Sequence, residues 1–133
     1  MTPEQIALVK ASWAQVMPIK TEAAALFYGK LFERDPTLRP LFKGDMAQQG
    51  ERLMAMIDTA VNGLDNLAAL IPAVRALGER HVGYGVKASD YDTVGAALLD
   101  TLATGLGPAF TPQVKAAWTA TYGALAGVMT GTA

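Results

Sequence analysis

The sequence predicts an all-α fold of six or seven helices, and three observations predict it. Apolar residues recur at intervals of three and four through most of the chain, while no segment alternates with period two. Thr2-Pro3 and Thr111-Pro112 each place a capping threonine before a proline, which is how many helices open. Between the periodic segments stand breakers: Pro18, the stretch "DPTLRPLF", Gly83 with Gly85, and "GLGP".

Taken in order, the first helix opens on Thr2, with Pro3 in its first turn and Gln5 at capping-box spacing. Ile6, Val9, Trp13 and Val16 line one face, and Pro18 ends it. "TEAAALFYGKLFER" is the second helix, with Ala24, Phe27, Tyr28, Leu31 and Phe32 on its buried side. Prolines 36 and 40 restrict "DPTLRPLF" to a short turn or one helical turn, and "KGD" reads as a loop. The period resumes in "MAQQGERLMAMIDTAVNGL", where Gln49, Leu53, Ile57 and Ala60 share a stripe flanked by Met56 and Leu64.

Asp65 or Asn66 starts the next helix, whose stripe is Leu67, Leu70, Val74, Leu77 and His81. Gly83 and Gly85 stop it. Ser89 or Asp90 is expected to cap the following helix, which carries Tyr91, Val94, Leu98 and Leu102. The last helix follows Thr111 and buries Val114, Trp118, Tyr122, Leu125 and Met129.

Composition bounds what such a bundle does. The chain of 133 residues reads as one domain, residues 1–133, with enough length for a real core. Charged residues are 17% of it and hydrophobic ones 51%. The charged share is below the roughly 25% usual in soluble proteins. An internal ligand, a subunit interface or a plain alanine bias would each account for that surplus. Basic and acidic residues nearly cancel, 11 against 12, so nothing points to nucleic acid or an anionic membrane. Without cysteine there is no disulfide, thiolate metal site, iron–sulfur cluster or thioether-attached haem. No apolar run is long enough to span a bilayer and no signal region opens the chain, so the expected location is the cytoplasm.

Several motifs fail on context. "GYGVKA" has the glycine spacing of a dinucleotide loop but follows a helix instead of a strand. Asp90 and Asp92 sit at a helix start, where acids favour the dipole. His81 is the only histidine, so neither a triad nor a three-donor metal site can be assembled around it. Two readings of His81 remain. It is a core imidazole satisfied by a carbonyl, or it is the axial ligand of haem, the metal cofactor that needs only one protein donor. In the second case its other ring nitrogen would donate to the carbonyl of Leu77, one turn back, and fix the tautomer.

The segments "LFYGKLFERDPTLRPLF", "QGERLMAMI", "DNLAALIPAVRALGERH", "SDYDTVGAALLDTL" and "AAWTATYGALAGVM" together resemble a bacterial single-domain globin, of the kind seen as the haem domain of flavohaemoglobins. The resemblance runs over nearly the full length. It implies a globin fold enclosing haem b (iron protoporphyrin IX) with His81 as the proximal iron ligand. Tyr28 and Gln49 match the distal pair, Leu53 the apolar residue beside the ligand site, and Phe42 the phenylalanine packed on the haem. Tyr91 matches a proximal tyrosine. Val86, Val94 and Tyr122 would line the proximal and inner pocket, and Arg52 and Arg80 would meet the propionates.

Two departures accompany the resemblance. The chain stops where a flavohaemoglobin continues into its reductase domain, so electrons are expected from a separate reductase. The family's proximal glutamate falls on Ala133, whose own carboxylate would have to stand in for it. The implied ligands are O2, CO and NO, and the implied roles are oxygen storage, delivery or scavenging, or nitric oxide dioxygenation. A gas-sensing module and a haem-free bundle are the remaining readings.

Overall fold

The computed structural model describes residues 2–42, 44–83 and 85–131. Among these, six α-helices follow one another and there is no strand: α1 (Pro3–Val16), α2 (Lys20–Arg34), α3 (Met46–Asn62), α4 (Leu67–Gly83), α5 (Ala88–Leu106) and α6 (Pro112–Thr130). Short 3-10 turns at Met17–Ile19, Pro36–Leu41, Leu64–Asn66 and Gly107–Ala109 join several of them. No helix among the described residues is long and apolar enough to cross a membrane.

The helix starts follow local chemistry. At α1, Thr2 Oγ1 accepts the N–H of Gln5 at 3.1 Å and Gln5 Oε1 accepts that of Thr2 at 3.1 Å, a reciprocal capping box. Thr111 Oγ1 caps α6 by accepting from Val114 N at 3.2 Å. Pro18 ends α1 less abruptly than expected, because it sits inside a 3-10 turn that leads directly into α2. Asp45, read from sequence as part of a loop, accepts from Ala47 N at 2.8 Å and so caps α3.

The start of α5 corrects the sequence reading. The N-cap position is Lys87, not Ser89 or Asp90. Asp90 lies inside the first turn and its carboxylate reaches back to accept the N–H of Lys87 at 2.9 Å. An acid at this position does the work of a cap from the helical side, which spacing alone cannot distinguish from a cap proper.

Two apolar clusters hold the helices together. In the first, Val9, Trp13 and Val16 of α1 meet Val114, Ala117 and Trp118 of α6, with Met54 and Val61 of α3 and Leu102 of α5. The second joins Phe27, Tyr28 and Leu31 of α2 to Leu38 and to Ala97 of α5. Small residues let α2 and α3 cross closely: a Cβ on Gly50 would lie 3.0 Å from that of Ala24 and 3.9 Å from Cε2 of Tyr28. This crossing sets Tyr28 beside α3.

Helix α4 behaves differently. It packs mainly on α6, and of its 17 residues only Gly78 is buried. Its stripe from Leu67 to His81 is half-buried, although the periodicity is that of a core face. Leu67 packs on the first cluster, whereas Val74, Leu77 and His81 at the other end of the stripe line a cavity.

Candidate functional site

The cavity lies between α4 and the α2–α3 pair, with α5 and α6 behind it. Helix α4 contributes Val74, Leu77 and His81; α2 contributes Phe27, Tyr28 and Leu31; and α3 contributes Leu53 and Met56. Phe42, Val86, Tyr91, Val94 and Tyr122 complete the part foreseen from sequence. The wall is overwhelmingly hydrocarbon, so each polar group on it stands in a low-dielectric setting.

His81 sits in the last turn of α4. Its Nδ1 lies 2.8 Å from the carbonyl oxygen of Leu77. A carbonyl only accepts, so Nδ1 carries the proton, and in the neutral ring Nε2 then carries the in-plane lone pair. That is the tautomer a metal ligand needs. Its ring centroid is 6.4 Å from that of Tyr91, with the planes tilted by 33°.

Across the cavity, Tyr28 is held by aromatic neighbours. Phe27 and Phe42 meet its ring edge-on at centroid distances of 5.3 and 5.4 Å, and Phe32 stacks at 6.1 Å. Such edge and offset contacts fix ring orientation. Burial pushes the Tyr28 phenol above the ordinary tyrosine range, so it stays protonated and remains a donor. Its hydroxyl makes no hydrogen bond to any described residue, and it is not sealed inside the protein. Tyr28 lines both this cavity and an outer groove between α2 and α3, and its phenol is a donor without an acceptor among the described residues.

Behind His81, the Tyr122 hydroxyl donates to the backbone carbonyl of Tyr91 at 2.7 Å. Burial first, then the neighbouring Tyr91 and Asp92, push this phenol far above its ordinary range. Gly95 makes room for the ring, since a Cβ there would lie 2.8 Å from Tyr122 Cε2. Thus α6 fixes the start of α5, and with it Tyr91 and Val94.

Not every expected residue reaches the wall. Gln49 is half-buried on α3, one turn before Leu53 and on the same helical face, but it is not part of the cavity lining. Arg52 and Arg80 are exposed and off the wall. The glutamate substitute expected at Ala133 lies outside the described residues. The structure also adds residues. Asp90, 6% exposed, lies on the wall and was read only as a helix-start acid. Trp118 and Thr121 join it, and Trp118 stands four residues before Tyr122 on a stripe that sequence reads simply as core.

Among the described residues, no three His, Cys, Asp or Glu side chains come together to hold a bare metal ion. One imidazole of defined tautomer on an apolar wall fits a cofactor that brings its own equatorial donors, which is haem. Residues 25–129 match the family described as Globin. The chain is 36% identical to the flavohemoproteins of Bordetella parapertussis and Bordetella bronchiseptica over 98% of its own length, and it spans about a third of theirs, 33%. A solved structure of an engineered carbene transferase, built on a proposed nitric oxide dioxygenase of Rhodothermus marinus, superposes with a TM-score of 0.87 at 29% identity. That match covers 99% of this chain and 93% of the other. The cavity, its single imidazole and these likenesses agree, and the chain belongs to the globin family.

Proposed function

We propose that this globin holds haem b on His81 and binds O2 beside Tyr28. The observation that carries the reading is the pairing of an imidazole whose Nε2 lone pair is set by Leu77 with a protonated phenol that lacks a described protein acceptor, both on one apolar wall. When bound, haem supplies the iron that takes up a diatomic gas. His81 holds the group, and Leu77 keeps the ring from turning. Phe42, Leu53, Val86 and Val94 exclude water around it. Tyr28 donates a hydrogen bond to O2, whose outer atom gains negative charge there. Gln49, on the face of α3 that leads to Leu53, orders that phenol or donates through its own amide. Tyr91 and Tyr122 support the proximal side, and Arg52 and Arg80 are the cations offered to the propionates.

The purified protein is expected to be red, with a Soret band that moves on reduction and again on adding O2 or CO. A colourless protein that takes up no added haem overturns the reading.

The likeness to a proposed nitric oxide dioxygenase favours a second reading on the same residues. There O2 held by Tyr28 meets NO, and the product is nitrate, with electrons from an added reductase. Nitrate formed in step with NO consumption, when a reductase and NADH are supplied, distinguishes turnover from simple O2 carriage.

A further inference from the structure

Asp90 is a buried charge that oxygen binding beside Tyr28 leaves unused. It is 6% exposed, and among the described residues that line the cavity it is the sole Asp, Glu, Lys or Arg. One carboxylate oxygen accepts the Lys87 N–H at 2.9 Å. The other makes no bond to a described residue, yet it is not sealed inside the protein. No cation answers the charge: the ion pairs among the described residues are Lys10–Asp65 and Arg34–Asp100, both elsewhere. Burying a charge without a counter-charge is costly, and the N-terminal dipole of α5 offsets only part of that cost. The hydrogen bond alone does not call for a charge, since an asparagine oxygen would accept the same N–H.

The backbone ties this carboxylate to His81. Val86 N–H donates to the His81 carbonyl at 3.1 Å, and the next amide, that of Lys87, is the one Asp90 accepts. Bond lengths then hold the carboxylate within about 10 Å of the His81 carbonyl. Its influence on the imidazole side runs through space, because His81 Nδ1 already donates to Leu77 at 2.8 Å. Ferric haem carries one positive charge more than ferrous haem, so an unpaired carboxylate on the same apolar wall favours the ferric form. At about 10–12 Å and an effective dielectric constant of about 20, one unit charge biases such an equilibrium by about tenfold.

We propose that Asp90 sets the reduction potential of the cofactor, biasing it about tenfold toward ferric iron through its field. The proposal rests on the reading that His81 holds haem. The step concerned is transfer of one electron from an external donor to ferric iron, which becomes ferrous; no bond or proton is exchanged. By linkage, the same charge retains ferric haem over ferrous haem by the same factor.

The test is a spectroelectrochemical titration of the holoprotein at neutral pH. Asp90→Asn keeps an acceptor for the Lys87 N–H and removes the charge. Asp90→Gln does the same with the amide common at capping-box spacing. Each should raise the midpoint by the equivalent of tenfold, about 59 mV for a one-electron couple. Asp90→Glu keeps the charge and should stay near the wild type. Asp92→Asn is the control, an equal change of net charge at an exposed residue off the wall. Solvent screens that position, so its shift should be severalfold smaller. The iron–histidine stretch in resonance Raman should not move in Asp90→Asn. If that variant does not fold, Asp90→Gln gives the same decision. An unmoved potential in the neutral Asp90 variants, or a shift matched by Asp92→Asn or Asp90→Glu, overturns the proposal. So does a potential shift that comes with a moved stretch, which assigns the effect to a displaced His81. Protein without a Soret band fails the haem reading itself, whereas a Soret band with an unmoved potential fails the role of Asp90 alone.

Discussion

A Cβ on Gly78 would lie 2.1 Å from the backbone carbonyl oxygen of Met129. Helix α4, which carries His81, therefore rests on α6 through direct backbone approach. A carbonyl cannot swing aside as a flexible side chain can, so the two helices must separate to admit a methyl group. Gly78→Ala should cost about 1–3 kcal/mol, the range for overpacking a close contact. Gly83→Ala is the control, because a Cβ there meets nothing within 4 Å; its effect should stay within about 0.5 kcal/mol. Thermal or urea unfolding of both variants checks the pair. Equal stability in the two would mean that the α4–α6 contact is more compliant than its geometry.

The same helix carries the second expectation. His81 Nδ1 donates to Leu77, and His81 is the only imidazole of the chain. His81→Ala should yield protein without stable haem, and added imidazole should restore part of the Soret absorbance by filling the space left on α4. An unaltered ferrous–CO spectrum in the variant would remove His81 from the iron.

Tyr122→Phe tests the strut behind His81. The ring stays in the notch at Gly95, so the change removes only the hydrogen bond to the Tyr91 carbonyl. A loss of about 0.5–1.5 kcal/mol is expected for that bond, with more if the carbonyl is left without a partner. Loosening Tyr91 should also shift the iron–histidine stretch seen by resonance Raman. A stability loss with an unmoved stretch would limit Tyr122 to packing.

Much of this architecture was legible because helices announce themselves locally. Thr2 and Thr111 with their prolines place the starts of α1 and α6 where the structure has them. The stripe that ends in His81 gave α4 its length and face. What the stripe could not give is what it faces. Leu67, Leu70, Val74 and Leu77 carry the period of core residues, yet they are half-buried, and Val82 beyond them is 72% exposed. Periodicity reports which side avoids water and is blind to whether protein or a cofactor covers that side. Asp90 shows the converse limit. It was read as a helix-start acid and candidate cap, although Lys87 holds the cap position, and its place on the cavity wall depends on how α5 packs, which no local pattern encodes.

Tyr28 carries the functional reading. Its ring is fixed by Phe27, Phe32 and Phe42, its hydroxyl makes no bond to a described residue, and burial keeps it protonated. A hydrogen bond to a partly charged acceptor contributes about 1.5–3 kcal/mol, so Tyr28→Phe should speed O2 dissociation by about ten- to hundredfold. CO carries far less charge in the same place, and its dissociation should change much less. Gln49 is not on the cavity wall, so Gln49→Leu should have the smaller effect, and the double variant should be less than additive if the amide acts through the phenol. The pH dependence has a definite sign. Because the folded phenol titrates above the ordinary value of 10.0, the wild-type O2 dissociation rate should stay flat up to that pH and rise only beyond it, as the donor is lost. Unfolding the chain returns the phenol to its ordinary value, so its burial also costs stability progressively above pH 10. Stopped-flow O2 and CO dissociation rates for the wild type and three variants, from neutral to alkaline pH, decide the matter. Equal acceleration for both gases would make Tyr28 a packing residue and move the source of O2 affinity elsewhere in the cavity.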